Sequence, residues 1–111
     1  MVVKKYIPER GDIVWVSFDP AKGHEQKGRR PAIVLTDKSY NTIGLFVVCP
    51  ITSRSKGYIT EVQIVIEDKK GVVLTDHIQS FDWTKRGLSF ICRSDYKIFN
   101  EVLQKISGLL F

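Results

Sequence analysis

Short apolar runs alternate with turn residues along most of the chain, the pattern of a mainly β protein. DIVWVSF (residues 12–18) follows Pro8 and Gly11 and is rich in β-branched and aromatic residues, so it predicts a first strand. PAIVLT (31–36) and GLFVVCPIT (44–52) are the second and third runs. EVQIVIE (61–67) starts by alternating apolar and polar residues, as a half-exposed strand does. KKG (69–71) reads as a hairpin turn leading into VVLT. HIQSFDW (77–83) alternates again, KRG (85–87) turns the chain, and LSFICR (88–93) is the last strand. The period then changes. Ser94 is placed as an N-cap with Asp95 beside it. Ile98, Val102, Ile106 and Leu109 recur at helical spacing, with Phe99 and Leu103 alongside.

So many short strands in 111 residues predict one domain, residues 1–111, built as a small, strongly curved antiparallel barrel or sandwich with an amphipathic C-terminal helix. The first three runs are apolar at both parities, whereas a sheet wet on one side alternates more cleanly. Either the barrel interior and the helix cover both faces, or a second copy of the chain does, which makes a homodimer a reasonable expectation.

Composition narrows the classes. With 43% hydrophobic and 26% charged residues, the chain reads as globular and not as a disordered tail. No apolar run approaches the ~18 residues needed to cross a membrane. MVVKKYIPERGD carries charge without the apolar core of a secretory leader, so the expected location is the cytosol. Cys49 and Cys92 end apolar runs without C-x-x-C spacing and read as buried reduced thiols. His24 and His77 stand far apart, so no metal site is expected. The net charge of +5 favours an anionic partner.

Three loop segments carry functional chemistry. KGHEQKGRRP (22–31) brings an imidazole, a carboxylate, an amide and two guanidiniums; PITSRSKGY (50–58) brings Thr52, Ser53 and Ser55 beside Arg54 and Lys56; TDHIQS (75–80) brings Asp76 and His77. Arg30 stands out, because Pro31 fixes the chain direction after it and an apolar strand follows. An arginine so anchored needs an anion: Glu25 or Asp76 within the protein, or a ligand phosphate.

Taken in order, YIPERGDIVWVSFDP (6–20), KGHEQKGRRPAIVL (22–35), CPITSRSKGY (49–58), VLTDHIQS (73–80) and the terminal helix resemble the MazF/PemK/Kid-type toxins of bacterial toxin–antitoxin modules over nearly the whole chain. That resemblance implies an SH3-like antiparallel barrel with a C-terminal helix, usually a homodimer. It also implies metal-independent, cofactor-free cleavage of single-stranded RNA at short sequences, leaving 2′,3′-cyclic phosphate and 5′-OH ends, so that mRNA is cut and translation stops. The family's essential arginine falls on Arg30, its essential hydroxyl on Thr52, and the glutamate of its E-Q pair on Glu25. The aspartate that matters in some members falls on Asp76. Ser53, Arg54 and His77 depart from the commoner residues and bear on which RNA sequence is cut.

Such a reaction needs the 2′-OH deprotonated, the phosphorane charge stabilised and the 5′-oxygen protonated. Arg30 suits the phosphate and Thr52 a non-bridging oxygen; Glu25, His24 and Arg30 itself are all candidates for the base. Arg54, Lys56 and Gln79 are expected to read or contact unpaired RNA, with His24, Arg29, Ser53, Asp76 and His77 nearby. The expected partners are single-stranded RNA and an antitoxin with an acidic, partly disordered tail. Two other readings share the barrel: a toxin that poisons DNA gyrase by protein contact, and a nucleic-acid-binding module without activity.

Overall fold

The period-2 runs become strands and the period-3.6 run becomes a helix. A computed structural model describes residues 5–18 and 28–111. Its strands are β1 (Asp12–Ser17), β2 (Arg29–Val34), β3 (Leu45–Thr52), β4 (Glu61–Ile66), β5 (Lys69–Leu74), β6 (Gln79–Asp82) and β7 (Ser89–Arg93). A single-turn helix, α1 (Lys38–Asn41), precedes β3; a 3₁₀ turn at Trp83–Lys85 follows β6; α2 (Tyr96–Leu110) ends the fold. All pairings are antiparallel, in the order β4-β5-β3-β2-β1-β7, with β6 on β3.

β3 shapes the sheet. One of its edges pairs with β2 from Val48 to Pro50. The other edge pairs with β6 from Leu45 to Val48 and then with β5 at Ile51 and Thr52. A strand that changes partners along its length bends the sheet around itself, and the result is the expected mainly β, SH3-like barrel, here a curled half-barrel carrying the C-terminal helix.

Both faces of the first three strands are covered from within the chain. Ile13, Ile33, Cys49, Ile51, Val62, Ile64 and Val73 form one core with Val102 of α2, with Ile98, Phe99 and Ile106 packed against it. Val14, Val16, Ala32, Val34, Phe46 and Val48 form a second core under Phe18, Phe81, Trp83 and Leu88. The two-sided hydrophobicity thus needs no second copy. Cys49 is buried and Cys92 half-buried, both are free, and burial pushes the Cys49 thiol up to about 12.

Several local expectations shift. The hairpin turn is Glu67–Asp68, both at positive φ (51° and 67°), and Lys69–Gly71 already belong to β5. Two central residues at positive φ give the hairpin twist that matches the strands on either side. The N-cap of α2 is Asp95, whose carboxylate accepts from the Lys97 N–H at 2.7 Å. Ser94 instead donates its backbone N–H to the Gly11 carbonyl, continuing the β7–β1 ladder. Leu103 and Leu109 lie outside the buried stripe, 40% and 50% exposed. The sequence pattern did not reveal α1, which is too short to show a period; Asp37 caps it by accepting from the Tyr40 N–H at 3.0 Å.

At the end of α1, Asn41 is fully buried and ties four segments together. Its amide donates to the carbonyls of Pro8 (2.8 Å) and Thr36 (2.9 Å), its side-chain oxygen accepts from the Thr36 hydroxyl, and its backbone carbonyl accepts from the Trp83 indole N–H. Asn41→Ala strands the buried Pro8 carbonyl and the partly buried carbonyl and hydroxyl of Thr36, each costing about 1–3 kcal/mol before relaxation or water entry. The expected outcome is a fall in melting temperature of roughly 10 °C. A shift of under about 2 °C in a thermal melt would show that this amide is not a tie-point of the fold.

Candidate active site

The register of β2 on β3 brings the expected catalytic pair together. Ala32 pairs with Pro50, Ile33 with Cys49 and Val34 with Val48. Continued by two residues, this register sets Arg30 opposite Thr52, with both on the parity of Ala32 and Pro50. β2 begins at Arg29, not Pro31, so Arg30 is a strand residue paired with Val16 of β1. Pro31 is tolerated because its pairing runs to Trp15 of β1, while the ladder to β3 starts one residue later.

Here the sheet ends open a cleft of about 380 Å³. Arg30, Thr52, Ser53 and Arg54 line it, together with Trp15, Pro31, Ile51, Ile66, Glu67, Lys69, Lys70, Gly71 and Ile91. Arg30 therefore shares one wall system with the hydroxyl of Thr52 and the cations of Arg54, Lys69 and Lys70. Among the described residues Arg30 makes no ion pair, so Asp76 is not its structural partner. Glu25 and His24 lie outside the described residues.

Thr52 is the last residue of β3, and its hydroxyl oxygen accepts from the Arg54 N–H at 3.2 Å. With that lone pair occupied, the O–H is left to donate. The strand stops here, so the alternation that would send Ser53 to the opposite face also stops, and both residues reach the cleft. Gly71 closes the floor. A Cβ there would stand 3.0 Å from the Thr52 carbonyl oxygen, a contact tight enough that β3 would have to give by a few tenths of an ångström.

The remaining expected residues scatter. Arg29 is exposed, and its guanidinium donates to the Ser89 hydroxyl away from the cleft lining. Lys56 is exposed in the β3–β4 loop. Asp76 and His77 are exposed at the β5–β6 turn, with Asp76 Oδ1 3.8 Å from His77 Nε2, and Gln79 pairs with Val48 in β6; none of the three lines this cleft. The structure adds Trp15, Lys69 and Lys70, which sequence reasoning did not place at the site. Trp15 is 37% exposed where its neighbours Val14 and Val16 are fully buried, an outward position that a run apolar at both parities does not signal. Among the described residues, no three of His, Cys, Asp and Glu cluster as a metal site.

Comparison with known proteins bears on what such a cleft belongs to. Residues 9–110 match the family model of the PemK-like, MazF-like toxin of type II toxin–antitoxin systems. The endoribonuclease toxin MazF of Escherichia coli strain K12 is 45% identical over 87 residues, 78% of each chain. The crystal structure of MazF from Deinococcus radiodurans superposes with a TM-score of 0.86 at 44% identity, covering 96% of this chain and 98% of that one. A MazE–MazF crystal structure from the same organism superposes with a TM-score of 0.85, also at 44% identity, over 96% and 97% of the two chains. A match over nearly the full length, with the same fold, settles the family: the chain belongs to the PemK-like, MazF-like toxins of type II toxin–antitoxin systems.

Proposed function

We propose that this toxin is an endoribonuclease that cuts single-stranded RNA at the cleft holding Arg30 and Thr52, without a metal, and that it stops translation by cutting mRNA. The observation that carries the reading is the meeting in one cleft of a strand arginine that makes no ion pair among the described residues, a hydroxyl and further cations. The names of its relatives point to the same reaction class.

In this reading the 2′-oxygen of a bound nucleotide attacks its own 3′-phosphorus and the P–O5′ bond breaks. The products are a 2′,3′-cyclic phosphate and a 5′-OH. Arg30 sets two N–H donors on the non-bridging oxygens as negative charge builds there. Thr52 adds its O–H to one of them. Arg54, Lys69 and Lys70 carry the flanking phosphates, and Trp15 offers a face for an unstacked base. Glu25, His24 and Arg30 itself remain the proposed proton-transfer groups. Arg29, Lys56, Asp76, His77 and Gln79 act on RNA beyond the cleft.

The same reading gives the toxin a cognate antitoxin, as the MazE–MazF complexes of Deinococcus radiodurans illustrate for that relative. The chain's net charge of +5 and its basic cleft suit an acidic, partly disordered tail. A homodimer would cover the apolar side chains left open on Leu103, Leu109, Leu110 and Ile59. No described helix is long and apolar enough to cross a membrane. Cutting mRNA places the proposed action in the cytoplasm.

Incubation with a defined transcript in EDTA tests the reaction. Discrete fragments with cyclic-phosphate ends are expected, and intact RNA would overturn it. Arg30→Ala is expected to keep the fold and lose at least ~10²-fold in cleavage rate, the scale of a lost transition-state donor; a near wild-type rate would remove Arg30 from the mechanism.

Thr52→Val keeps the branched shape and deletes the hydroxyl. It is expected to lower single-turnover cleavage on the order of 10²-fold with little change in melting temperature, while Ser53→Ala stays close to wild type. If Ser53→Ala is the crippled variant, the hydroxyl assignment moves to Ser53. If neither is crippled, the hydroxyl role is abandoned.

Affinity for a non-cleavable RNA is expected to fall as salt rises, with a slope of about −0.7 per phosphate contacted. A flat salt dependence would mean that the cleft cations do not track the phosphates.

A further inference from the structure

The loop between β3 and β4, residues 53–60, has the sequence SRSKGYIT. Serine, lysine and glycine in such a run do not order a loop by themselves. Yet this loop is closed onto one side chain. Glu61, the first residue of β4, accepts from the Ser55 hydroxyl at 2.6 Å, from the Lys56 N–H at 2.9 Å and from the Gly57 N–H at 3.2 Å. Its own N–H donates to the Tyr58 carbonyl at 3.1 Å. Gly57 sits at φ +75°, which turns the chain so that consecutive N–H groups face the carboxylate. The donors hold the carboxyl below its usual range, the Ser55 hydroxyl most of all, so the ionised form is the one the loop is built around.

We propose that Glu61 is a positioning residue for RNA: its carboxylate clamps the β3–β4 loop and so presents Arg54 and Lys56 to the substrate in one preset arrangement. The proposal rests on the RNA-cleaving reading above. It goes beyond that reading by giving a role to an acidic residue that does not itself face the cleft. A carboxylate beside an RNA track is at first sight unfavourable, since it repels phosphate. Here its oxygens are turned onto backbone and hydroxyl donors of the loop, and the two cations are free to face outward. Without the clamp, the RNA must order the loop as it binds, and that cost falls on affinity and not on the chemical step.

The test is steady-state cleavage of a short labelled RNA by wild type, Glu61→Ala, Glu61→Gln and Ser55→Ala. Glu61→Ala is expected to raise KM about tenfold, the effect of having to order a loop on binding, with kcat within about twofold of wild type. Glu61→Gln keeps an acceptor oxygen and should recover part of the loss, and Ser55→Ala, which removes one arm of the clamp, should give a smaller KM rise of the same kind. The salt slope of RNA affinity should stay as in wild type in Glu61→Ala, because the same phosphate contacts form once the RNA has ordered the loop. An unchanged KM in Glu61→Ala would overturn the proposal while leaving the cleavage reading intact. A large fall in melting temperature or in kcat would also overturn it, by making Glu61 a folding or catalytic residue. Wild type that fails to cut RNA at all would remove the parent reading itself.

Discussion

The β2–β3 ladder is the constraint on which the rest of the molecule depends. Its pairs from Ala32–Pro50 to Val34–Val48 lie at the centre of the sheet and separate the two cores. A slip of β2 by one residue would send Ile33 into the second core and Ala32 and Val34 into the first, so each core would receive side chains built for the other. The same slip would take Arg30 off the parity of Thr52. The register that is best protected by burial is thus also the one that assembles the cleft.

The partner change along β3 adds the third wall. Because β6 stops at Val48 and β5 takes over at Ile51, the start of β5 swings in beside the end of β3. Lys69, Lys70 and Gly71 arrive next to Thr52 by this route. An arginine, a hydroxyl and two lysines from three different strands therefore share one space without any of them occupying a core position.

Much of this was legible in the residues. The strands and the terminal helix follow from periodicity, and Arg30 was marked by the proline after it and the apolar run that follows. What escaped detection depended on long-range geometry or on short elements. Lys69 and Lys70 look like turn residues until the positive φ values of Glu67 and Asp68 move the turn forward and place both lysines in a strand. Asn41 sits in one turn of helix, and its value comes from partners at Pro8, Thr36 and Trp83 that no local pattern joins. Asp76 and His77 are expected at the site from the family resemblance and Gln79 as a contact for unpaired RNA, whereas none of the three lines the cleft and β6 pairs Gln79 with Val48. Glu61 was read as the polar edge of a strand, since three of its four hydrogen bonds are to backbone groups that carry no residue signature.

The chain has two tryptophans, and the fold gives them separate environments. Trp83 is partly buried, with its indole N–H bound to the carbonyl of Asn41. Trp15 stands partly open on the cleft wall beside Arg30. Indole emission depends on solvent exposure and on nearby quenchers, so the two rings give the protein a built-in pair of optical probes. Trp83 reports whether the knot around Asn41 is intact, and Trp15 reports what has entered the cleft. A change in one without the other separates occupancy from unfolding with no label attached.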